Sequence, residues 1–416
     1  MKKTILSVLI VLIALSGSVF AQGNQEAQSD NGIVTINYYG KPDAALENEI
    51  ITRFEAENPN IQVNYIQLTG GSNEKLAQIQ TVLQSKSSDI DVFAADGIWP
   101  AIFVAAGWAA SYEELGVSPA FFDEYTMASN FMSGGKHYGI PFQANAGLFF
   151  YRADLLKKYG LAVPKTTAEI ETAAKIILAG EKNPNLVGYA AAWKQGEGLS
   201  SAVSEFFYEQ GMKVYANGTS DLTFGGVKAA LDTMKGLIDK GIAPADINSY
   251  SAEQRTLFKA GKLIFARDWT SAFSAHFFKP EGNPYAVVAG AAIVPGGAGV
   301  SGNWGLMISS FSKNKKEAVA FAEFRANQQS LETQYDMIGA LPPHYAAFKY
   351  DAIQKVLGSY ADIVLNSFEV TVDRAVTPHY GEVSNIIQTN VSAALTGLLS
   401  TDQAATLITK QISNIL

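Results

Sequence analysis

The chain has 416 residues, no cysteine and a formal net charge of −8. The acidic balance argues against nucleic acid or an anionic membrane surface as a partner, and the absence of cysteine excludes a disulfide framework, a thiolate nucleophile and a lipid-modified cysteine. Because a single hydrophobic core stops growing at about 250–300 residues, a chain of this length is expected to form two domains.

The first 21 residues have the pattern of a Sec signal peptide. Lys2 and Lys3 precede the apolar run 5–15, and small residues then lead to Ala21. This run is shorter than the roughly 20 apolar residues of a spanning helix, so we expect cleavage after Ala21 and no membrane insertion of the mature protein. The polar segment 22–31 is expected to be a flexible leader. The mature protein is predicted to be exported to a periplasm without a lipid anchor.

Strand-like and helix-like stretches alternate over residues 33–94. Apolar residues in alternation or in short runs predict strands at 33–38, 61–65 and 90–94, and apolar residues at helical spacing predict helices at 42–58 and 74–86. This order is typical of a parallel sheet covered by helices. Ligands bind such sheets at the carboxyl ends of the strands, which here lead into the loops 39–43, 69–73 and 95–100. Further along, the glycine-rich stretch 295–302 is a candidate crossing between two lobes.

Short motifs follow one another along the chain in a distinctive order. They are FEAENP at 54–59, DVF at 91–93, DGIWP at 96–100, GKHYGIP at 135–141, FYRADLLKKYG at 150–160, GNWG at 302–305 and SKNKKEA at 312–318. In order and spacing they resemble the family 1 extracellular solute-binding proteins of ABC importers. The stretch from Asp96 to Trp108 is particularly similar to the branch that binds trehalose, maltose and related oligosaccharides.

The resemblance implies a two-lobe periplasmic-binding-protein fold of the α/β class, type II-like. Each lobe would be a mainly parallel sheet flanked by helices, with the ligand cleft between the lobes. The implied N-terminal lobe comprises residues 32–142 and 302–345, and the implied C-terminal lobe comprises residues 143–301 and 346–416. The implied function is capture of a di- or oligosaccharide by lobe closure and delivery to the permease of an ABC importer. We expect a monomer, because closure must be unobstructed, and we expect no cofactor, no metal and no enzymatic activity.

Matched residue by residue, the resemblance also implies a sugar site. Its members are acidic, amide, aromatic and basic side chains: Asp43, Asp96, Gln143, Asn145, Trp269, Trp304 and Arg374. A sugar ring has an apolar face of C–H groups and an edge of hydroxyls, so flat aromatic surfaces beside polar groups suit it. Relatives of the trehalose and maltose type tend to carry a larger aromatic and an acidic residue in the segment 142–145. The resemblance therefore does not carry over the same sugar.

Several of these residues have an alternative structural role. Asp43 opens a predicted helix and is a candidate N-cap, and Asp96 is a candidate turn or capping residue. Trp269 and Trp304 are alternatively core aromatics, although a buried indole N–H needs a partner. Arg374 is alternatively a surface or lobe-bridging ion pair.

Further tryptophans fall into two groups. Trp99 and Trp108 are expected to pack inside a lobe. Trp193 stays undecided, and the nearby Gln195 and Glu197 are candidates to line the cleft.

Two other functional classes stay open. The four histidines show no HxxH or HExxH spacing, and the chain has no GxSxG elbow or P-loop. A glycoside hydrolase needs two carboxylates about 5–10 Å apart, which the sequence does not exclude. A receptor for a polyamine, iron or a peptide is the second alternative. Iron would favour clustered tyrosines and polyamines several carboxylates, whereas the mixture of Trp, Asp, Asn and Arg favours a neutral polyhydroxylated ligand.

Overall fold

The computed structural model describes residues 32–125, 129–215 and 218–416. The predicted signal peptide and leader lie outside the described residues, so cleavage after Ala21 stays a prediction. Among the described residues, none of the helices combines the length and the apolar character that a membrane span requires.

The chain first builds most of one α/β lobe and then enters a second. The elements of the first passage are β1 (Val34–Gly40), α1 (Ala44–Glu57), β2 (Ile61–Gln67), α2 (Ser72–Gln84), β3 (Val92–Asp96), α3 (Pro100–Ala105), β4 (Ala109–Ala110), β5 (Met132–Ser133), β6 (Lys136–His137) and β7 (Ile140–Gln143). Those of the second lobe are β8 (Gly147–Arg152), α4 (Ala153–Tyr159), α5 (Thr167–Glu181), β9 (Val187–Ala190), α6 (Glu197–Glu209), α7 (Phe224–Asp239), α8 (Glu253–Lys259), β10 (Leu263–Trp269) and β11 (Ala289–Ala292).

The chain then returns to the first lobe before it ends in the second. The returning elements are β12 (Trp304–Ser309), α9 (Lys315–Arg325) and α10 (Gln328–Ile338). The last helices are α11 (Asp351–Leu357), α12 (Ala361–Glu369), α13 (Tyr380–Leu395) and α14 (Thr401–Ser413). Of these, α12 packs on β8 and β11, and α13 and α14 pack on α6 and α7 of the second lobe.

The predicted β-α-β-α-β unit at the start of the chain is confirmed. β1 pairs in parallel with β2 and with β3. Leu46, Ile50 and Phe54 follow one another at four-residue spacing on α1 and are buried against the sheet. One apolar stripe on each helix therefore covers the sheet, as the spacing predicts.

The prediction that each sheet is mainly parallel is wrong in its strand directions, although the α/β class and the two-lobe architecture are confirmed. The first sheet has the order β2-β1-β3-β12-β4, with β7 also paired to β12, and β12 runs antiparallel to all three of its neighbours. The second sheet has the order β11-β8-β10-β9, in which only β9 and β10 are parallel among the described strands.

The cause of the reversal is the way the chain returns from the second lobe. It enters β12 at the cleft edge of the first sheet, so β12 must run back against β3. This direction pairs Trp304 with Asp96 across the two strands. The same return places Trp304 opposite Gln143 of β7.

Three stretches of backbone lie beside one another between the two sheets. The Gly302 N–H donates to the Asn145 carbonyl at 2.7 Å, and the Gly147 N–H donates to the Val300 carbonyl at 3.0 Å. The Ser301 N–H donates to the Val372 carbonyl at 3.1 Å. The glycine-rich stretch thus runs directly into a crossing between the lobes.

Candidate functional site

A cavity of about 500 Å³ lies between the two lobes. The first lobe contributes residues 71–74 at the N-terminus of α2, Asp96 at the end of β3 and Trp304 at the start of β12. The second lobe contributes Trp269 at the end of β10 and Glu197 at the start of α6. The cavity therefore forms where strands end and helices begin, as expected for open α/β sheets.

A buried ion-pair network crosses this cavity. Arg374 donates from Nη2 to Asp96 Oδ1 at 2.7 Å and from Nη1 to Glu197 Oε1 at 2.8 Å, and its Nε donates to the Ser301 carbonyl at 3.1 Å. All three charged side chains are at least nine-tenths buried. The guanidinium thus joins a carboxylate of the first lobe to one of the second, which is the lobe-bridging alternative considered for Arg374.

Helix α13 completes the surroundings of Glu197. Tyr380 donates its hydroxyl to Glu197 Oε1, and Ser384, one turn further along the helix, donates to Oε2 at 2.7 Å. Burial raises the pKa of Glu197, while the Arg374 guanidinium acts in the opposite direction. Burial alone would lower the pKa of Arg374, but Asp96 and Glu197 raise it above its ordinary value. Arg374 is therefore a permanent cation held between two carboxyl groups.

The two tryptophans predicted to stack on the ligand both line the cavity and are partly exposed. The Lys41 ammonium lies 5.1 Å from the Trp304 ring centre, and the Trp99 ring meets Trp304 edge-on at 5.5 Å. The Arg267 guanidinium lies 4.3 Å from the Trp269 ring centre. These neighbours fix the orientation of each indole.

Asn145 lines the same cavity, but its side chain is already committed. Its amide oxygen accepts from the Thr270 hydroxyl at 2.8 Å and from the Ser271 N–H at 3.0 Å. Its Nδ2 donates to Ser271 Oγ at 3.2 Å, and its backbone N–H donates to the Asn303 side chain at 3.0 Å. Asn145 therefore ties the crossing segments together beside Trp269.

The other two predicted residues line a second interlobe cavity of about 1050 Å³. Asp43 stands at the N-cap position of α1 but makes no side-chain capping hydrogen bond, so the capping alternative is not realised. Gln143 accepts a 2.6 Å hydrogen bond from Lys41 Nζ. The structure thus brings five of the predicted residues, Asp96, Asn145, Trp269, Trp304 and Arg374, to the first cavity and two, Asp43 and Gln143, to the second.

A histidine in the second cavity is surrounded by positive charge. His276 lies in the π-helical turn Phe273–Phe277, with Nε2 3.2 Å from Arg255 Nη1 and Nδ1 3.4 Å from Lys259 Nζ. Burial and the charges of Arg255, Lys259 and Lys279 lower the pKa of His276 to about 4, and Asp268 opposes them. The imidazole is therefore neutral at pH 7.

This histidine predicts a pH dependence of folding. Below its ordinary pKa of about 6.5 the unfolded state takes up a proton that the folded state refuses, so stability falls as the pH drops towards 4. The shift is worth on the order of 2 kcal/mol after allowance for partial exposure. In urea unfolding, the free energy of unfolding should fall between pH 7 and pH 4 by about that much more in wild type than in His276→Gln. The exposed-histidine variant His379→Gln should follow wild type, and parallel curves for wild type and His276→Gln would contradict the prediction.

The remaining tryptophans are core residues. Trp99 is 1% exposed and contacts Phe103 edge-on, and Trp108 packs against the same cluster. Trp193 is fully buried between Tyr189 and Phe206 and does not line the cavity. The undecided Gln195 and Glu197, in contrast, both line the first cavity.

Sequence reasoning missed several residues that shape the site. Lys41 lies within the predicted ligand loop 39–43. The position of its ammonium over the Trp304 ring, however, depends on the antiparallel direction of β12. Tyr380 and Ser384 lie one turn apart at the start of α13, which is the helix that follows Arg374 in the sequence. Their closeness to Arg374 in the sequence is a signal that could have identified them.

The arrangement suits binding of a polar, uncharged molecule. Within the parts of the chain that the structure covers, no group of His, Asp and Glu could hold a metal ion. The two buried carboxyl groups of the first cavity, Asp96 and Glu197, both form an ion pair with the Arg374 guanidinium. Indole faces beside hydroxyl, amide and charged groups are the surfaces that recognise rings with an apolar face and a polar edge.

Comparisons with known proteins identify the family of the chain. Residues 39–330 match the family described as bacterial extracellular solute-binding protein. A probable ABC transporter-binding protein of Deinococcus radiodurans is 32% identical over 351 residues, covering 80% of this chain and 82% of the relative. The mannitol-binding protein of Pseudomonas aeruginosa is 23% identical, covering 84% of this chain and 85% of the relative.

A solved structure also matches across nearly the whole chain. The maltose-bound protein of T. maritima superposes with a TM-score of 0.80 at 27% identity, covering 92% of this chain and 100% of the other. The family resemblance noted in the sequence is thereby confirmed. The chain belongs to the bacterial extracellular solute-binding protein family, a family of receptors rather than enzymes.

Proposed function

We propose that this protein captures a di- or oligosaccharide between its lobes and delivers it to the permease of an ABC importer. The observation that carries the proposal is the first cavity, where Trp269 and Trp304 from opposite lobes flank the Asp96–Arg374–Glu197 network. Sugar rings would stack on the indoles, and their hydroxyls would bond to polar groups that line the cavity. The maltose bound by the solved neighbour supports a sugar ligand, and the mannitol in the name of a relative is a polyol that carries the same hydroxyl groups.

The capture mechanism follows from the position of the cavity. Its walls come from both lobes, so a ligand that contacts both walls favours the closed arrangement over an open one. The Asp96–Arg374 pair at 2.7 Å already joins the lobes and would favour the same arrangement. Closure then presents one continuous surface to the permease.

The remaining parts of the proposal concern the mature chain. We place the lobes at 32–142 with 302–345 and at 143–301 with 346–416, supported by the two separate sheets and the crossings beside Asn145 and Gly302. The mature protein would be a periplasmic monomer. Mass spectrometry of the exported protein should find an unlipidated N-terminus directly after Ala21, and a retained leader or an acyl chain would contradict this.

A thermal-shift panel tests the ligand class. It contains mono-, di- and trisaccharides, with mannitol, spermidine and a tripeptide as non-sugar members. A ligand that binds only the folded state adds about 2.7 kcal/mol at a hundredfold excess over its dissociation constant, so the right sugar should raise the melting temperature by several degrees. No reducing sugar should be released on incubation with glycosides. A shift with mannitol, spermidine or the tripeptide alone, or release of sugar, would reject the proposal.

Gly302 offers a local test of the Trp269 position. A Cβ atom at Gly302 would lie 2.7 Å from Cζ3 of the Trp269 ring, so Gly302→Ala must push the indole aside. Sugar affinity should fall about tenfold, or about 1.4 kcal/mol. Gly225→Ala in α7 is the matched control, because nothing lies within 4 Å of its Cβ position. Equal affinities of the two variants in calorimetric titration would remove Trp269 from the ligand site.

A further inference from the structure

The two interlobe cavities are neighbours, and we call the contacting side chains Lys41, Trp304, Asn145 and Ser271 the wall between them. Trp304 lines the first cavity and Lys41 lines the second, and the Lys41 ammonium lies 5.1 Å from the Trp304 ring centre. Asn145 lines the first and Ser271 the second, and their side chains are hydrogen-bonded at 3.2 Å. At Lys41 and at Ser271, side chains that line the second cavity therefore contact side chains that line the first.

Lys41 is held in this wall by more than one contact. Its Nζ donates to Gln143 Oε1 at 2.6 Å, and its carbonyl accepts the Tyr65 hydroxyl. Burial lowers the pKa of the Lys41 ammonium, while Asp43 acts in the opposite direction. Because both its backbone and its ammonium make hydrogen bonds, the Lys41 side chain is held in one position between the two cavities.

The second cavity is lined by aromatic, polar and charged side chains from both lobes. Its walls come from both lobes, because Tyr335 of α10 and Ser274 of the second lobe share a 2.8 Å hydrogen bond. Phe278, which stacks on Phe273 at 3.8 Å, lines it with the polar Asp43, Gln143 and Ser271 and the charged Arg255, Lys279 and Glu281. The cavity of about 1050 Å³ is roughly twice the first, which has about 500 Å³.

We propose that Lys41 sets the length of the bound sugar by closing the first cavity against the second. This inference rests on the proposed carbohydrate function. With Lys41 in place, the first cavity holds a short ligand such as a disaccharide, and a longer chain meets the lysine at its end. Without the lysine side chain, the two cavities join into one groove that accepts further rings.

Calorimetric titration with linear glucose oligomers tests the proposal. The probes are the α-1,4 and the β-1,4 series of two to four units, with trehalose as an added disaccharide. Wild type should bind the best disaccharide at least tenfold more tightly than the tetrasaccharide of the same linkage. In Lys41→Ala this ratio should fall below about threefold, because the tetrasaccharide gains contacts in the second cavity.

Two further variants secure the interpretation. Lys355→Ala removes an exposed lysine of the second cavity that lies outside the wall, and it should keep the wild-type ratio. Gln143→Ala releases the Lys41 ammonium while keeping its side chain, and it should give an intermediate ratio even if Lys41→Ala fails to fold. Unchanged ratios in Lys41→Ala or Gln143→Ala, or equal affinity of wild type for both lengths, would overturn the length assignment alone. Absence of binding by every sugar would instead reject the proposed function and the inference with it.

Discussion

Replacing Trp304 by alanine should weaken sugar binding by roughly 2–4 kcal/mol, the range of a binding hot spot. The indole lines the first cavity and is partly exposed, so its truncation removes a stacking surface and leaves the neighbouring Trp99 in place. Calorimetric titration gives the loss of affinity, and apo melting gives the loss of stability. The melting temperature without ligand should fall less than in the control below.

Trp193 is the matched control, because it is a tryptophan of the same chain with no exposed surface. Trp193→Ala leaves a cavity between Tyr189 and Phe206 and should cost about 3–5 kcal/mol of folding stability. The folded fraction should keep near-normal sugar affinity. If instead Trp304→Ala melts as early as Trp193→Ala and binds sugar normally, Trp304 is a core residue and leaves the site.

Replacing Arg374 by methionine should destabilise the protein by about 3–5 kcal/mol, because Asp96 and Glu197 are left buried without their cation. Burial raises the pKa of Glu197 and Arg374 opposes this rise, so the folded variant without Arg374 binds a proton at Glu197 more readily than the unfolded chain does. The stability of the variant therefore falls as the pH rises. The defect of Arg374→Met should therefore shrink as the pH is lowered from 8 to 5.

A second substitution separates this explanation from a simple loss of packing. Arg374→Met combined with Glu197→Gln removes one uncompensated carboxylate and should recover part of the lost stability in urea unfolding. The double variant should also show a weaker pH dependence than the single one. Equal stability of the single and double variants at pH 8 would contradict the role of the buried charges.

The sequence predicts the first half of the N-terminal lobe well because its signals are local. The spacing of Leu46, Ile50 and Phe54 predicts α1, and alternation predicts β2, whichever strand becomes its neighbour. Strand direction, in contrast, is not determined by local signals. The antiparallel entry of β12 depends on how the chain returns from the second lobe, and no periodicity in the sequence records that path.

The site shows the same division between local and long-range information. The resemblance identifies Asp96, Trp269 and Trp304, and the structure gathers them at one cavity. The fate of an individual tryptophan depends on tertiary packing, so Trp193, followed by the polar segment 194–198, is nevertheless core. Lys41 could be placed in a ligand loop, but its position over Trp304 required the three-dimensional structure.

Calorimetric titration of the mature protein with the sugar that gives the largest thermal shift shows whether a carbohydrate binds between the lobes at the first cavity. We expect one site per chain with a dissociation constant near 1 μM, which corresponds to about −8 kcal/mol. The same titration of Trp269→Ala combined with Trp304→Ala should give no measurable heat of binding. Wild-type affinity in that double variant, or no sugar that binds wild type, would contradict the account.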